Sequence, residues 1–316
     1  MARPQPGLFV EEIHLHYHLE FEVGPDVDNE AIVAAVTAAR QATATLRGPN
    51  TVWGFSPRLW DLLAPGQSPA TFHEFETING VKSFIAPATQ ADVWFWCQGN
   101  AYEKVWRIAY DVRSAMTPAA TLVREQQAYV PLDDRDPIGF IDGTENPAVD
   151  KALGVALVPD DLPGGGGSIV LIQKWVHKLD RFESLAIPAQ EGVIGRTIDD
   201  STELDETVMP ASSHVSRNVI EDETGEELAI YRRNTPFASM AEVGTMFIGC
   251  TAESTRMDEM LARMFGTSGD GLTDHIVRFS TPVSGSYYFA PSMDALTAVF
   301  DVLKPDDGDL EAVGAH

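Results

Sequence analysis

The run Ile138-Gly-Phe-Ile-Asp142-Gly-Thr-Glu-Asn-Pro147 is the densest chemical signal in the sequence. Gly139 and Gly143 flank a short apolar stretch and one carboxylate, and glycine lets a backbone pass close to a flat ligand. Asp142 in such a setting is poorly solvated, and a carboxylate held there can shuttle a proton. The same spacing also reads as an acidic turn in which Asp142 caps backbone amides, and on spacing alone that is the favoured reading. Histidines stand at positions 14, 16, 18, 73, 177, 214, 275 and 316. His14, His16 and His18 alternate, so a strand puts them on one face, but no carboxylate or cysteine pattern completes a tetrahedral metal set. A polar strand face is expected there. Gly164 to Gly167 lacks the Lys-Ser/Thr of a phosphate loop and is expected to be a flexible break. Arg232-Arg233 reads by itself as a solvated basic pair, and Met257, Met260 and Met264 have the spacing of a buried helix face.

The elements that must position these groups follow from periodicity. Residues 8–23 alternate from Ile13 onward, which predicts a strand with one buried face. Asp28-Asn29-Glu30 then opens an Ala-rich helix with an acidic first turn. Strands are expected at 51–55, 81–86 and 91–97, a helix at about 101–116, and a closing strand at 121–130. With 51–55 and 81–86 only short candidates beside the stronger 91–97, the coarse order is β-α-β-β-α-β, the split-βαβ or ferredoxin-like pattern. It recurs in the second half: strand 168–176, helix 181–190, strands 227–231 and 244–249, helix 256–265, strand 287–290. Residues 199–227 carry ten acidic side chains and one arginine and are expected to form a long solvated loop. The expected class is α+β, with two ferredoxin-like subdomains and antiparallel sheets, residues 1–135 and 136–316.

Composition narrows the partners. A chain of 316 residues suits one large domain or two of about 150. Hydrophobic content of 44% excludes global disorder. Lys plus Arg less Asp plus Glu is 22 − 47 = −25, a field that repels phosphate backbones and anionic lipids, so neither nucleic acid nor a membrane is an expected partner. No apolar run reaches the ~20 residues of a membrane span, and the start has neither an apolar leader nor a twin-arginine pair. A soluble, cytoplasmic chain is expected, with Cys97 and Cys250 as buried free thiols between apolar neighbours.

Gly139-Phe-Ile-Asp-Gly-Thr-Glu-Asn-Pro147 resembles the signature of the dye-decolourising peroxidases, a haem-dependent family whose motif is a glycine, two variable residues, then Asp-Gly. Ser168 to His177, Val193 to Thr197, Ser213-His-Val215, Arg232-Arg-Asn234 and Gly244 to Gly249 agree in order and approximate spacing. The likeness spans about residues 138 to 290 and is nearest to the compact bacterial subgroup, type B. It implies haem b (iron protoporphyrin IX) between the sheet and helices of the C-terminal half. Hydrogen peroxide is then the oxidant, and dyes, phenolics or other small one-electron donors are the reductants.

The resemblance also assigns residues. His214 matches the proximal histidine, the axial ligand of the haem iron, and Asp274 the carboxylate that gives the imidazole anionic character. His177, beside Trp175, competes for the axial place and is expected to be structural. Asp142 and Arg232 match the pair on the opposite face, and Asn234, two residues beyond Arg232, points the same way on a strand. Arg196 matches an arginine that contacts a haem propionate; Gly143, Thr144 and Glu145 fall within the cofactor-binding stretch. The implied cycle has Asp142 or Arg232 assisting proton transfer between the peroxide oxygens while Arg232 stabilises the charge that develops. It leads to a ferryl with a porphyrin radical, reduced in two one-electron steps. A carboxylate base with an ordinary pKa of about 3.9 fits activity at acidic pH.

The resemblance also allows, within the same fold, a haem-binding protein that oxidises porphyrin or releases haem iron; a rival from another class is a non-enzymatic acidic binding module. A homo-oligomer is expected. The tail 306–316 lacks the Ile-Gly-Ser-Leu type of ending that directs packaging into an encapsulin compartment, so packaging is not expected. The acids around His214 predict an acidic proximal surface that favours cationic donors or Mn²⁺, or a salt-tolerant exterior.

Overall fold

Period-two alternation decides the sheet faces in a computed structural model that describes residues 2–44 and 50–300. In strand β1 (Leu15–Val23), Leu19 and Phe21 enter one core while His16, His18 and Glu20 turn to the other side, all five at most 4% exposed. Helices α1 (Asn29–Ala44) and α2 (Tyr102–Met116) cover the first side. Their Ile32, Ala35, Val36 and Ala39, and Val105, Ile108, Ala109 and Val112, recur at three- and four-residue spacing and pack into that core. With β2 (Asn50–Phe55), β3 (Val93–Gly99) and β4 (Ala120–Tyr129), the antiparallel spatial order is β4-β1-β3-β2.

The second half repeats this arrangement. Strands β5 (Ser168–His177), β6 (Tyr231–Arg232), β7 (Thr235–Ala238), β8 (Val243–Thr251) and β9 (Ser286–Ala290) lie in the order β9-β5-β8-β6, with β7 also paired to β8. Helices α3 (Ile187–Ile194), α4 (His214–Asn218), α5 (Ser254–Phe265) and α6 (Met293–Phe300) are among the helices of this half. Each half therefore has the split-βαβ order, and the class is α+β with two ferredoxin-like units. A bridge between Phe55 of β2 and Phe289 of β9 joins the two into one ten-stranded sheet.

That junction changes the meaning of several residues. Beyond the helix-side core, a second core collects Val52, Trp94 and Trp96 from the first unit with Val170, Ile248 and Tyr288 from the second. His16 and His18 belong to it: they are buried, not a solvated polar face. Trp96 donates to His16 Nδ1 at 3.2 Å, and His18 Nε2 meets Thr235 Oγ1 at 3.0 Å. Burial pulls the His16 pKa down to about 3 and that of His18 well below its usual value. No metal-binding group of three or more such side chains occurs among the described residues. Arg233 is likewise no solvated base. It lies over the Trp96 ring at 5.6 Å and donates to the carbonyls of Leu8 (2.8 Å) and Val10.

Two further expectations are corrected. Gly164–Gly167 is a packed turn rather than a flexible break, with Val158 and Gly166–Gly167 exchanging backbone hydrogen bonds of 2.8 and 2.9 Å. The stretch 199–227 contains α4, and its one arginine, Arg217, is 2% exposed and paired to Asp270 at 2.6 Å. Cys97 and Cys250 are buried free thiols, as their apolar neighbours implied. The tail 306–316 and His316 lie outside the described residues.

Gly244, opposite Val176 in the β5–β8 pair, shows how tightly the second sheet is built. A methyl group there would stand 1.9 Å from the Trp175 carbonyl oxygen and 2.8 Å from the Phe237 ring. Gly244→Ala is expected to destabilise the fold by about 1–3 kcal/mol, read as a lower urea midpoint; an unchanged midpoint would refute this packing.

Candidate active site

Between the second sheet and helices α3 to α5 lies a cavity of about 1390 Å³, its mouth included. Leu171, Gln173 and Trp175 of β5 reach it because alternate residues of a strand share a face; Thr245 and Phe247 of β8 do the same. Across from them stand Met257, Met260, Leu261 and Met264, the apolar stripe of α5. Gly266, at φ +73°, ends that helix in the left-handed conformation that suits glycine.

Helix α4 delivers the imidazole. Ser213 caps it, its Oγ accepting from the Ser216 N–H at 3.2 Å, which places His214 at the first helical position. His214 Nδ1 donates to Asp274 Oδ2 at 2.7 Å. Asp274 is fully buried, and its Oδ1 accepts from the Ile276 N–H at 2.8 Å, capping a short 3₁₀ turn. With the carboxylate holding the Nδ1 proton, Nε2 keeps its lone pair for a metal. Asn218, one turn along α4, donates to the His214 carbonyl at 2.8 Å and reaches Asp274 Oδ2 at 3.4 Å. Sequence reasoning missed this residue, although its i,i+4 relation to His214 was visible.

The Asp142 loop and the sheet edge supply the other polar groups. Gly139 and Gly143 have φ of +97° and +75°, so the turn itself requires glycine there, whatever approaches it. Asp142 Oδ1 accepts from the Gly143 N–H at 2.7 Å and from Asn234 Nδ2 at 3.2 Å. Asn234 Oδ1 in turn accepts from the Ile248 N–H at 3.3 Å, which fixes the amide's orientation. The two readings of Asp142 thus coexist: Oδ1 caps an amide, while Oδ2 takes no hydrogen bond among the described residues. Depth below the surface raises the Asp142 pKa, and Asp136 adds to this. Asn234, the Gly143 amide and Arg232 oppose it in part.

The Arg232 guanidinium lines the cavity and makes no hydrogen bond or ion pair among the described residues. Burial lowers its pKa, against the pull of Asp142, Glu227 and Glu145. Its backbone is clamped: the N–H donates to Asn146 Oδ1 and the carbonyl accepts from Asn146 Nδ2, each at 2.8 Å. One side-chain amide thereby imitates a strand partner and bolts the Asp142 loop to β6. Asn146 carried no sequence signal beyond its place in a Thr-Glu-Asn-Pro turn.

Arg196, at the same cavity, is 11% exposed and pairs with Glu145 and, at 2.8 Å, with Glu203; it also donates to the Ser201 carbonyl at 2.6 Å. Thr144, Glu145 and Gly143 line the cavity too, so eight of the nine expected site residues converge there, and Asp274 stands behind His214. His177 is tied on both ring nitrogens, 2.8 Å from Ser280 Oγ and 3.1 Å from Asp136 Oδ1. Both ring nitrogens being engaged, it is held as a structural side chain. The donor set fits an iron porphyrin: an unpartnered imidazole Nε2, apolar walls on two sides and a guanidinium at Arg196. Two buried polar atoms of the sheet side, Gln173 Nε2 and Thr245 Oγ1, have no hydrogen-bond partner among the described residues.

Asn146→Ala removes both bonds of the clamp and leaves a backbone donor and acceptor of Arg232 unpaired. A loss of about 2 kcal/mol is expected, measured by urea denaturation of the haem-free protein; a loss within error would show that the clamp is dispensable.

Comparison with known proteins agrees with this geometry. Residues 27–129 match the family described as "Dyp-type peroxidase, N-terminal" and residues 133–295 the one described as "Dyp-type peroxidase, C-terminal". A dye-decolorizing peroxidase of Mycobacterium tuberculosis is 39% identical over 240 residues, 75% of this chain and 71% of that protein. The structure of DyPB from Rhodococcus jostii RHA1 superposes with a TM-score of 0.87 at 32% identity, over 95% of this chain and 99% of that one. A variant of the same Rhodococcus protein, solved in complex with haem, gives 0.86 at 33% identity over 95% of this chain and 100% of that one. The chain is therefore a member of the Dyp-type, or dye-decolorizing, peroxidases, a family of haem peroxidases.

Proposed function

We propose that the unit from residue 136 onward holds haem b on His214, and that Asp142 and Arg232 activate hydrogen peroxide for the oxidation of small one-electron donors. One observation carries this reading. A carboxylate with an open Oδ2 and an unpaired guanidinium share a cavity with an imidazole whose Nδ1 is already committed to a buried carboxylate. Haem, when bound, supplies the iron at which peroxide is reduced and a store for its two oxidising equivalents.

The chain's own residues do the rest. Asp142 Oδ2 takes a proton from one peroxide oxygen and returns it to the other, while Asn234 holds Oδ1 and so keeps Oδ2 turned to the cavity. Arg232 brings a positive charge that forms no ion pair among the described residues, placed where negative charge develops as the O–O bond breaks. Asp274 makes the imidazole a stronger donor by holding its Nδ1 proton. Arg196, now paired with Glu145 and Glu203, would hold a haem propionate in place of one of them. Nine of the ten acids in 199–227 are exposed, which supports cationic donors over anionic ones on that side. Two unpaired cysteines suit a reducing cytoplasm, and no described helix is long and apolar enough to cross a membrane.

His214→Ala is expected to abolish the Soret band of protein reconstituted with haemin; a retained, unshifted band would exclude His214 as the ligand. Arg232→Leu should slow the stopped-flow reaction with peroxide by about 100- to 1000-fold, more than Asp142→Ala does, and the reverse order would assign the larger part to the carboxylate. The base form of Asp142 is the ionised one and its pKa is raised, so the peroxide rate should fall, on acidification, at a pH above the ordinary carboxylate value of about 3.9. Asp142→Ala should flatten that limb.

A further inference from the structure

Three of the chain's nine methionines, Met257, Met260 and Met264, line the one cavity from α5. Leu261 stands in the same stripe, so a hydrocarbon packs on that face as a thioether does, and the sulfurs bring a reactivity that packing alone does not need. Met257 has the most telling place. Its Sδ lies against Gly249 of β8, where a Cβ would stand 2.9 Å from the sulfur and 3.0 Å from the Phe247 ring. Gly249 is the strand partner of Arg232, and facing residues of an antiparallel pair have Cβ positions ~4.5–5.5 Å apart on one face of the sheet. The space that glycine leaves thus seats a thioether beside the base of the Arg232 side chain, and both residues line the cavity. Met264, two turns along α5, lies on the His214 side, its carbonyl accepting from the Asp274 N–H at 2.9 Å. Met257 is 1% exposed, so an oxidant reaches it through the cavity and not from the outer surface.

We propose that Met257 is a modification site: peroxide turned over without a donor oxidises it to the sulfoxide, which then occupies Arg232 and slows further turnover. This inference rests on the haem-peroxidase reading of the cavity. Oxidation turns methionine from an apolar side chain into a polar one. The new sulfoxide oxygen accepts hydrogen bonds and donates none, and within an apolar stripe it needs a donor. The Arg232 guanidinium, which makes no hydrogen bond among the described residues, supplies one from the neighbouring strand. Once paired, it no longer meets the charge that develops as the O–O bond breaks.

The step balances. Hydrogen peroxide gives one oxygen to Sδ and releases the other, with both protons, as water. An S–O bond forms and the O–O bond breaks; the sulfur is oxidised by two electrons and the peroxide is reduced by two. No further reductant enters, which is why the modification belongs to peroxide without a donor.

Peptide mass spectrometry of the haem-loaded protein, treated with peroxide in the absence of a donor, tests this. Met257 is expected to gain one oxygen about tenfold more than Met240, whose fully exposed side chain reports oxidation from bulk solvent. The haem-free protein should show the reverse order. After the same pretreatment the stopped-flow rate with fresh peroxide should be about 100-fold lower, whereas Met257→Leu should keep the rate it had before pretreatment. A loss of the same size in Met257→Leu overturns the proposal, and so does a sulfoxide at Met257 that leaves the rate unchanged. Met257 that stays unmodified while the haem spectrum responds to peroxide overturns it as well. Absence of any optical change of the haem on peroxide addition would overturn the peroxidase reading instead, and this site with it.

Discussion

The hydrogen bond from His214 Nδ1 to the buried Asp274 carboxylate constrains everything around it. An imidazole at a cavity is free to rotate and to carry its proton on either nitrogen. A carboxylate removed from water, with its other oxygen held by the Ile276 amide, leaves it one orientation and one tautomer. Both ends of this pair depend on caps, Ser213 at the start of α4 and Asp274 at the start of the 3₁₀ turn. Two short helical turns about sixty residues apart are therefore oriented by one another. Asn218 ties them further by bonding to both.

The opposite side of the cavity is organised by amides instead of ions. Asn234 couples Asp142 to β8, and Asn146 couples the Asp142 loop to the backbone of Arg232. Neutral positioning groups leave the charges of Asp142 and Arg232 unspent on structural ion pairs. Arg196 shows the alternative, engaged by two glutamates at once. Burial then acts on the open pair, raising the carboxyl and lowering the guanidinium toward one another.

The fold was largely legible because its evidence is local. Alternation in β1, the apolar run that opens β5 and the stripe Met257, Met260, Leu261 and Met264 are each patterns within a few neighbouring residues. The misreadings share one cause. His16 and His18 are polar residues on alternate positions, the pattern of a face in water, and only the second unit stacked against them turns that face into a core; Arg233, of the second unit, is covered in turn by Leu8, Val10 and Trp96 of the first. The acidic stretch 199–227 likewise hid α4, because a five-residue helix stabilised by a cap and by the buried Arg217, paired to the exposed Asp270, has no periodicity to display.

By itself the sequence determined the two split-βαβ units, the buried thiols, the acidic exterior and, through an ordered set of motifs, the residues that gather at the cavity. Motif order is a chain property and survives without coordinates. The tertiary structure decided how those residues are divided: which oxygen of Asp142 is open, which nitrogen of His214 is committed, and that Asn146 and Asn218 hold the rest in place. It alone set the Met257 sulfur against Gly249, the strand partner of Arg232. The physical reason is that a hydrogen bond has direction and a reach of about 3 Å, so its partners are chosen by packing and not by distance along the chain.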